Sequence, residues 1–510
     1  MLLSNKISKD LTQSKGRKLM LDIIGLENFK GFKKLEGLKV KPITILCGVN
    51  SCGKSSILQN ILLFKQTLES KNPKQMLLLN GRFVHLGTFN NITFEQRSEN
   101  VVTLKFRFKI KRSDFLIGQN QNRLFYHILG ELLPSETFSD KNAEHLISYE
   151  ISLKALDETK IRPTKVIFKI ETKISDETVI SGIDISINLV KNGLYDVLWK
   201  NVETRTGTEK EHDSGSIRSC AVTFANLFPL EISPSNEKEE RIRTSDVMFV
   251  FYRLNSLLQK IFDSYTYIGP LREEPSRRYV YEDEIVEIGN KGENAAYVYL
   301  SEQDKPIEKH YFYEANDDCF KKKPALPLSE ALSKWLDLMK IRELKPEPAN
   351  EIIYLKLNSS SDQKTRVNIA DVGFGVSQIF PILLEGLRMS ERHTLLLEQP
   401  EIHLHPNLQM QMADYFIALA LSNKRVIAET HSDHIINRLV RRMVEDKTNR
   451  LKELIGIYFI TADENEGLEF EEVSIGKSGI KNWPKEFFDQ TANEQEKTIL
   501  ASMYNKEIIQ

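Results

Sequence analysis

The feature that most constrains this 510-residue chain is a glycine-rich stretch at residues 48–55, GVNSCGKS. It matches the pattern GxxxxGK(S/T) at every fixed position, follows the apolar run ITIL and precedes apolar residues at helical spacing. Glycines let the backbone curl so that successive N–H groups point at phosphate oxygens, and the dipole of the following helix adds positive potential. We therefore predict a phosphate-binding loop between a strand and a helix.

Two side chains of this loop have specific expected roles at a bound nucleotide. Lys54 would bridge the β- and γ-phosphates, and the hydroxyl of Ser55 would hold Mg²⁺. A chance glycine turn is the alternative, but it would not account for the flanking strand and helix. The residues expected to contact ATP here are Gly48, Asn50, Gly53, Lys54, Ser55 and Ser56.

A second glycine-rich segment, DVGFGVSQ at residues 371–378, precedes an apolar helix predicted over 379–387. Glycines and a serine at a helix start again form an anion site, and we expect Gly375, Ser377 and Gln378 to contribute to it. Beside a complete phosphate loop this site would be redundant, which suggests that it serves the γ-phosphate of another subunit. A glycine turn capped by Ser377 remains the alternative.

Two further strands end in polar residues. The run LLLEQPEIHLHP at residues 395–406 places the carboxylate of Glu398 at the sheet edge, where it can hold Mg²⁺ through water. The run VIAETHS at residues 426–432 ends in His431, which could contact the γ-phosphate or the attacking water. A lone histidine at a strand end is more often structural, so its predicted role depends on this order of motifs.

The rest of the chain indicates an α/β protein with a β-rich insertion, because apolar and polar residues alternate around residues 103–110 and 183–189. Within the insertion, the highly charged stretch 233–246 is expected to be a loop and residues 247–262 a helix. The formal net charge of -1 argues against a uniformly basic surface for nucleic acid. Four scattered cysteines and the absence of a long apolar run predict a cytosolic protein without a membrane partner. We expect five segments: a polar tail (1–20), the first part of the head (21–100), the insertion (101–260), the second part of the head (261–475) and a tail (476–510).

Taken together, these motifs resemble the ABC-type ATPases of the SMC, RecF and OLD-nuclease group. More narrowly, the chain is similar to cytosolic defence-associated ATPases, including the Septu type, at residues 26–68, 265–295, 371–435 and 483–490. The resemblance implies an ABC-type head with a phosphate-loop sheet, a β-rich insertion and a C-terminal helical lobe, and a head-to-tail dimer around ATP and Mg²⁺. It makes Glu398 the Walker B acid, residues 375–378 a divergent signature turn and His431 the switch histidine, with Lys30 near the nucleotide.

One departure from this family affects the mechanism. The family has a glutamate directly after the Walker B acid, whereas this chain has Gln399, which can orient water but cannot act as a general base. Glu401 is the nearest carboxylate that could substitute. We therefore predict slow hydrolysis, with ATP acting mainly to hold two subunits together.

The resemblance leaves three functions open. The first is regulation of a separate effector in antiviral defence, for which a nuclease of the HNH type is the candidate partner. The second is DNA repair by a RecF-like ATPase that binds nucleic acid. The third is an OLD-like nuclease. Such a protein would need a metal-binding nuclease domain after His431, and the 79 residues that follow are short for one. Arg438, Arg441 and Arg442 share one face of a predicted helix, which favours a solvated surface over a DNA-contacting one.

Overall fold

The computed structural model describes residues 20–48, 53–72, 75–111, 144–157, 160–175, 178–205, 208–234, 238–280, 287–359, 365–463, 467–482 and 490–504. Of the predicted features, residues 1–19 of the tail, Asn50 and most of the 483–490 motif lie outside these ranges.

The chain enters through a hairpin and the strand that leads into the phosphate loop. Residues of this strand alternate between two cores: Leu46 packs on one face of the sheet, while Ile43 and Ile45 pack on the other. Both faces are buried, which explains why the run ITIL is apolar throughout. The elements are β1 (Met20–Phe29), β2 (Phe32–Lys39), β3 (Ile43–Gly48), α1 (Lys54–Leu68) and the short α2 (Phe89–Ile92).

The predicted β-rich insertion is a run of antiparallel strands, which we call the wing (residues 102–233). It continues the head sheet, because its first strand pairs with β1 through Leu26 and Leu104. Leu104 and Phe106 are buried, whereas Lys105 and Arg107 on the opposite face form ion pairs with β1. The elements are β4 (Val102–Lys111), β5 (Glu144–Ala155), β6 (Ile161–Ser175), β7 (Thr178–Leu189), β8 (Tyr195–Arg205), β9 (Thr208–Ala225), β10 (Phe228–Ser233) and then α3 (Lys238–Phe262).

Helix α3 is longer than the sequence suggested. The charged stretch 233–246 was expected to be a loop, but the helix begins at Lys238. Lysine, glutamate and arginine are good helix formers, so a high charge density does not by itself predict a loop. The buried side of α3, including Phe251 and Leu258, packs into the same core as the wing.

Within the described ranges, the middle of the chain contributes an edge strand to the main sheet, a separate four-stranded sheet and two two-stranded sheets. Strand β11 (Tyr265–Ile268) lies at the sheet edge, parallel to the strand that ends in Glu398. The other elements are β12 (Tyr279–Val280), α4 (Ala295–Glu302), β13 (Pro306–Ile307), β14 (His310–Glu314), β15 (Cys319–Lys323), β16 (Leu326–Pro327), α5 (Leu328–Leu338), β17 (Lys345–Ala349), β18 (Ile352–Asn358) and β19 (Arg366–Asn368).

The C-terminal part supplies the remaining parallel strands and the helices that cover them. The apolar residues of its long helices join Ile43 and Ile45 in the second core. The elements are α6 (Phe374–Arg388), β20 (Thr394–Glu398), α7 (Pro406–Leu421), β21 (Arg425–Glu429), α8 (Asp433–Glu445), α9 (Arg450–Leu454), β22 (Ile455–Asp463), β23 (Gly467–Glu472), β24 (Ile475–Gly476), β25 (Gly479–Ile480) and α10 (Gln490–Tyr504).

Across the described ranges the main sheet has 15 strands, in the order β10-β9-β8-β7-β6-β5-β4-β1-β2-β23-β22-β3-β21-β20-β11. Strands β22, β3, β21, β20 and β11 run parallel. Their carboxyl ends therefore meet at one edge, which is where open α/β sheets bind ligands. The predicted α/β head with a large sheet is confirmed, and all the strand-end motifs fall on this edge.

Candidate nucleotide-binding site

Both described ends of the phosphate loop require glycine. Gly48 has φ 146° and Gly53 has φ 65°, and a Cβ at either position would collide with Ile460 or Leu468. Lys54 opens α1 with only 3% of its surface exposed, and its Nζ donates to the Gly48 carbonyl oxygen at 3.2 Å. The lysine therefore lies folded across the strand–helix junction.

The two serines after Lys54 differ in their partners. Ser56 is 6% exposed, and its backbone N–H donates to the Gly53 carbonyl at 2.9 Å, within the first turn of α1. Ser55 Oγ instead donates to Glu429 Oε1 at 3.0 Å. The expected metal ligand thus already touches a carboxylate, although not the one that the sequence analysis assigned to it.

Glu429 ends β21 and is the main site residue that the sequence analysis missed. Its side chain is 3% exposed, and its Oε2 is buried without a hydrogen-bond partner. Burial raises the pKa of Glu429 to about 7; the Ser55 hydrogen bond and Lys54 oppose the rise, and nearby Glu398 reinforces it. A strand that ends in an acid beside the phosphate loop was the signal that could have identified it, as it did for Glu398.

Glu398 ends β20, directly opposite Glu429 in the parallel register. Tyr267 of β11 donates its hydroxyl to Glu398 Oε1 at 2.9 Å. Burial raises the pKa of Glu398, and the Tyr267 hydrogen bond and the charge of Lys30 counteract it. Lys30 lies in the turn between β1 and β2 and donates to Gln59 of α1, so the structure brings it beside the site. Burial in turn lowers the pKa of Lys30.

Arg272 ends the segment GPLR at residues 269–272, which lies within the stretch 265–295 that resembles defence-associated ATPases. Only 4% of its surface is exposed, and its guanidinium donates to the backbone carbonyls of Glu398 (2.8 Å) and Gln399 (3.0 Å). Burial lowers the pKa of Arg272 to about 10, while Glu401 and Glu398 favour its charged form. The arginine therefore fixes the end of β20 and places positive charge beneath the carboxylates.

The turn after β20 is tied to the segment that carries His431. Gln399 has a left-handed backbone (φ 45°), and its N–H donates to the Glu429 carbonyl at 2.8 Å. Glu401 accepts hydrogen bonds from Thr430 Oγ1 (2.8 Å) and from the His431 backbone N–H (2.6 Å). Burial raises the pKa of Glu401 and lowers that of His431, where the charge of Lys54 adds to the effect.

The predicted signature turn is the first part of a helix. Helix α6 begins at Phe374, five residues before the expected start, and its N-cap is Gly373 with φ 79°. The alternative of a turn capped by Ser377 is wrong, because Ser377 Oγ donates to the Phe374 carbonyl inside the helix at 2.7 Å. Gln378 is 3% exposed, and a Cβ on Gly375 would lie 3.2 Å from the His403 carbonyl oxygen.

The arginines of α8 do not form a solvated face. Arg442 is 3% exposed and donates to Asp414 Oδ1 at 2.9 Å, and Arg438 donates to the other oxygen of Asp414 at 2.8 Å. Arg441, whose side chain is 50% exposed, is the one of the three that lies at the surface. The prediction fails because Asp414 lies on α7, and helix periodicity carries no information about charges on a neighbouring helix.

The donor set at the carboxyl edge fits a nucleotide with Mg²⁺. It combines a buried lysine, a serine hydroxyl and a buried carboxylate oxygen without a partner. Among the described residues, no three His, Cys, Asp or Glu side chains form a ready-made metal cage. That is the usual situation for Mg²⁺, which is held by one or two carboxylates together with phosphates and water. No helix within the described ranges is long and apolar enough to cross a bilayer.

Comparison with known proteins identifies the family. The model of the AAA ATPase domain (AAA_15) matches residues 20–436, and no curated protein matches the chain. Among solved structures, the SMC head domain from Thermotoga maritima is 12% identical, with 89% of this chain and 99% of that chain covered and a TM-score of 0.34. The Smc head from Pyrococcus furiosus with an extended coiled coil, bound to the C-terminal domain of ScpA, is 11% identical, with coverages of 95% and 99% and a TM-score of 0.35. Because the family model spans most of the sequence, the chain belongs to the AAA ATPase domain family and is an ATP-binding ATPase.

Proposed function

We propose that this ATPase is a slow, ATP-dependent dimeric switch that regulates a separate effector in the cytoplasm. The observation that carries the proposal is the position of the second anion site. The start of α6 lies against the loop after β20, whereas the phosphate loop follows β3, with β21 between them. Two strand spacings separate these strands by roughly 10 Å. This separation supports the proposal that the start of α6 contacts nucleotide bound to a second copy of the chain, not nucleotide bound to the phosphate loop of the same copy.

The surface around this helix start supports the same arrangement. Phe374 is 47% exposed and Leu271 is 71% exposed, although Ser377, one turn after Phe374, and Arg272, next to Leu271, are buried. Arg277 and Asp371 form an ion pair that joins the two segments, with one contact at 3.2 Å. Exposed apolar side chains next to an anion-binding helix start suit a second copy that closes over ATP.

The proposed roles of the site residues follow from their chemistry. Lys54 would hold the terminal phosphates, while Ser55, and Glu398 through water, would hold Mg²⁺, which would neutralise phosphate charge. His431, with its lowered pKa, offers a neutral imidazole at neutral pH. Gln399 can position water but cannot remove its proton, and Glu401 already accepts two hydrogen bonds from residues 430–431. Slow hydrolysis is the expected result.

Dimerisation can be tested with two substitutions in the proposed interface and one control. Phe374→Asp places a charge in the proposed interface without disturbing the core, and Ser377→Arg blocks the second anion site directly. Light scattering should show that the parent protein doubles in mass with ATP, while both variants stay monomeric and still bind ATP. Ser390→Arg, at the exposed far end of the same helix region, is the matched control and should dimerise normally. Equal ATP-dependent mass in all four proteins would refute the composite site.

We propose that the effector is a separate nuclease of the HNH type and that both proteins act in antiviral defence. This part of the proposal is supported by the resemblance to defence-associated ATPases. The purified chain should bind ATP without cutting DNA or RNA in Mg²⁺ or Mn²⁺, and nuclease activity should appear only when a partner nuclease is added. Cleavage by this chain alone would instead favour an OLD-like nuclease.

The DNA-repair alternative has less support from the surface of the molecule. Arg438 and Arg442, which would have been its basic contacts on α8, are occupied by Asp414. A binding assay with DNA ends at two salt concentrations tests this alternative, because phosphate contacts make affinity fall steeply with salt. Tight, salt-dependent binding would favour the repair function.

A further inference from the structure

We infer that Glu429 is a second carboxylate of the Mg²⁺ site, coordinating the ion directly or through one bound water together with Ser55. The inference rests on the binding of ATP with Mg²⁺ at the phosphate loop, and it does not depend on dimerisation or on the effector. From the sequence, only Ser55 and Glu398 are predicted to hold the metal.

The position of β21 is the first argument. This strand lies between the phosphate-loop strand β3 and the Walker B strand β20. Glu429 pairs with Leu46 on one side and with Glu398 on the other. Its carboxylate therefore ends the strand adjacent to the phosphate loop, whereas Glu398 lies one strand further away. A cation held by Ser55 would be nearer to the strand of Glu429 than to that of Glu398.

The contacts of the carboxylate are the second argument. One oxygen, Oε1, accepts the hydrogen bond from Ser55 Oγ at 3.0 Å. The other oxygen, Oε2, is buried without a hydrogen-bond partner in a side chain that is 3% exposed. Leaving a buried carboxylate oxygen unsatisfied is costly, and a cation or a metal-bound water supplies what the protein does not.

The ligand type is the third argument. A hydroxyl and a carboxylate, together with phosphate oxygens and water, form the oxygen set that Mg²⁺ prefers. The hydrogen bond between Ser55 and Glu429 keeps the hydroxyl and the carboxylate close enough to bind the same ion. Glu401 is not an equivalent candidate, because both of its oxygens already accept hydrogen bonds from residues 430–431.

The test measures metal binding rather than catalysis. Free Mn²⁺, read by its electron paramagnetic resonance signal, is titrated against protein with ATP, and ATP affinity is measured separately by calorimetry in EDTA. Glu429→Gln should weaken Mn²⁺ binding by about ten-fold or more, the range seen when groups supporting a metal are lost. ATP affinity without metal should not fall. Glu385→Gln, another buried glutamate (2% exposed) at the far end of α6, is the matched control and should bind Mn²⁺ like the parent.

A second variant is needed in case Glu429→Gln misfolds. Circular dichroism will show whether each variant is folded. Glu429→Asp keeps the charge but shortens the side chain, so its Mn²⁺ affinity should fall between those of the parent and the glutamine variant. If the folded Glu429→Gln variant bound Mn²⁺ with the affinity of the parent, the inference would be overturned, even if ATP hydrolysis were lost. A parent protein that fails to bind ATP in EDTA and in Mn²⁺ would refute the nucleotide site and this inference together.

Discussion

Replacing Glu429 by glutamine should stabilise the nucleotide-free protein at neutral pH. The pKa of Glu429 rises from 4.5 to about 7 on folding, chiefly through burial. Between these values the folded state retains a proton that the unfolded state releases. Stability is therefore lost as the pH rises from 4.5 towards 7, because the ionised form is disfavoured in the folded site. Glutamine does not titrate, and its amide oxygen can still accept the hydrogen bond from Ser55.

The size of this effect follows from the two pKa values. Each unit of difference corresponds to about 1.4 kcal/mol, so the full penalty of the ionised carboxylate is about 3 kcal/mol. At pH 5 only about 0.8 kcal/mol of it is present, and at pH 8 nearly all of it is. The advantage of the Glu429→Gln variant over the parent should therefore grow by roughly 2.5 kcal/mol between pH 5 and pH 8.

Thermal unfolding of both proteins in EDTA, followed by circular dichroism across this pH range, measures the difference. Ser432→Ala provides the control: it removes the N-cap of α8, where Ser432 Oγ accepts from the Ile435 N–H at 3.0 Å, without removing a titrating group. That loss should cost about 1 kcal/mol at every pH. A Glu429→Gln advantage that stays constant with pH, or a parent that is the more stable protein at pH 8, would refute the reasoning.

Three further substitutions test the remaining contacts of the site. Lys54→Ala should abolish ATP binding in calorimetry, since it removes the positive charge expected between the terminal phosphates; unchanged affinity would exclude Lys54 from the site. Gln399→Glu should raise a steady-state rate that begins well below about 10 per second, and a fast parent indifferent to the change would contradict the mechanism. Arg272→Met should lower the free energy of unfolding by about 1–3 kcal/mol, measured by urea denaturation, because it removes the guanidinium donor to the Glu398 carbonyl and leaves the Gln399 carbonyl with only the Ile402 N–H; a neutral result would exclude the supporting role of Arg272.

Much of the site could be predicted because its motifs are local. The glycines of the phosphate loop, the strand before it and the helix after it are consecutive in sequence, and Glu398 follows an apolar run directly. Glu429 also follows an apolar run, but the functional role predicted for this segment was given to His431, two residues later. Its contact with Ser55 depends on β21 lying between β3 and β20, a strand order that a single sequence does not specify.

The errors in the fold have the same origin. Alternation in the wing predicted its strands, yet the pairing of β1 with β4, which merges the wing with the head sheet, is a long-range choice. Arg438 and Arg442 lay on the expected helix, but their partner Asp414 is 24 and 28 residues away on α7. Periodicity shows which side of a helix is polar and which is apolar. It does not show whether the polar side faces solvent or a charged residue of a neighbouring helix.

The glutamine at 399 can also be understood from the charges around it. Glu398, Glu401 and Glu429 already meet at one buried edge, and Glu398 and Glu401 both raise the pKa of Glu429. A fourth carboxylate at residue 399 would add repulsion before a metal or a nucleotide arrived. The three glutamates are distinguished by their partners: Tyr267 for Glu398, Thr430 for Glu401 and Ser55 for Glu429. With Glu429 as a ligand of the metal, a neutral Gln399 keeps the negative charge of this edge to three carboxylates, and the position next to Glu398 then lacks a general base.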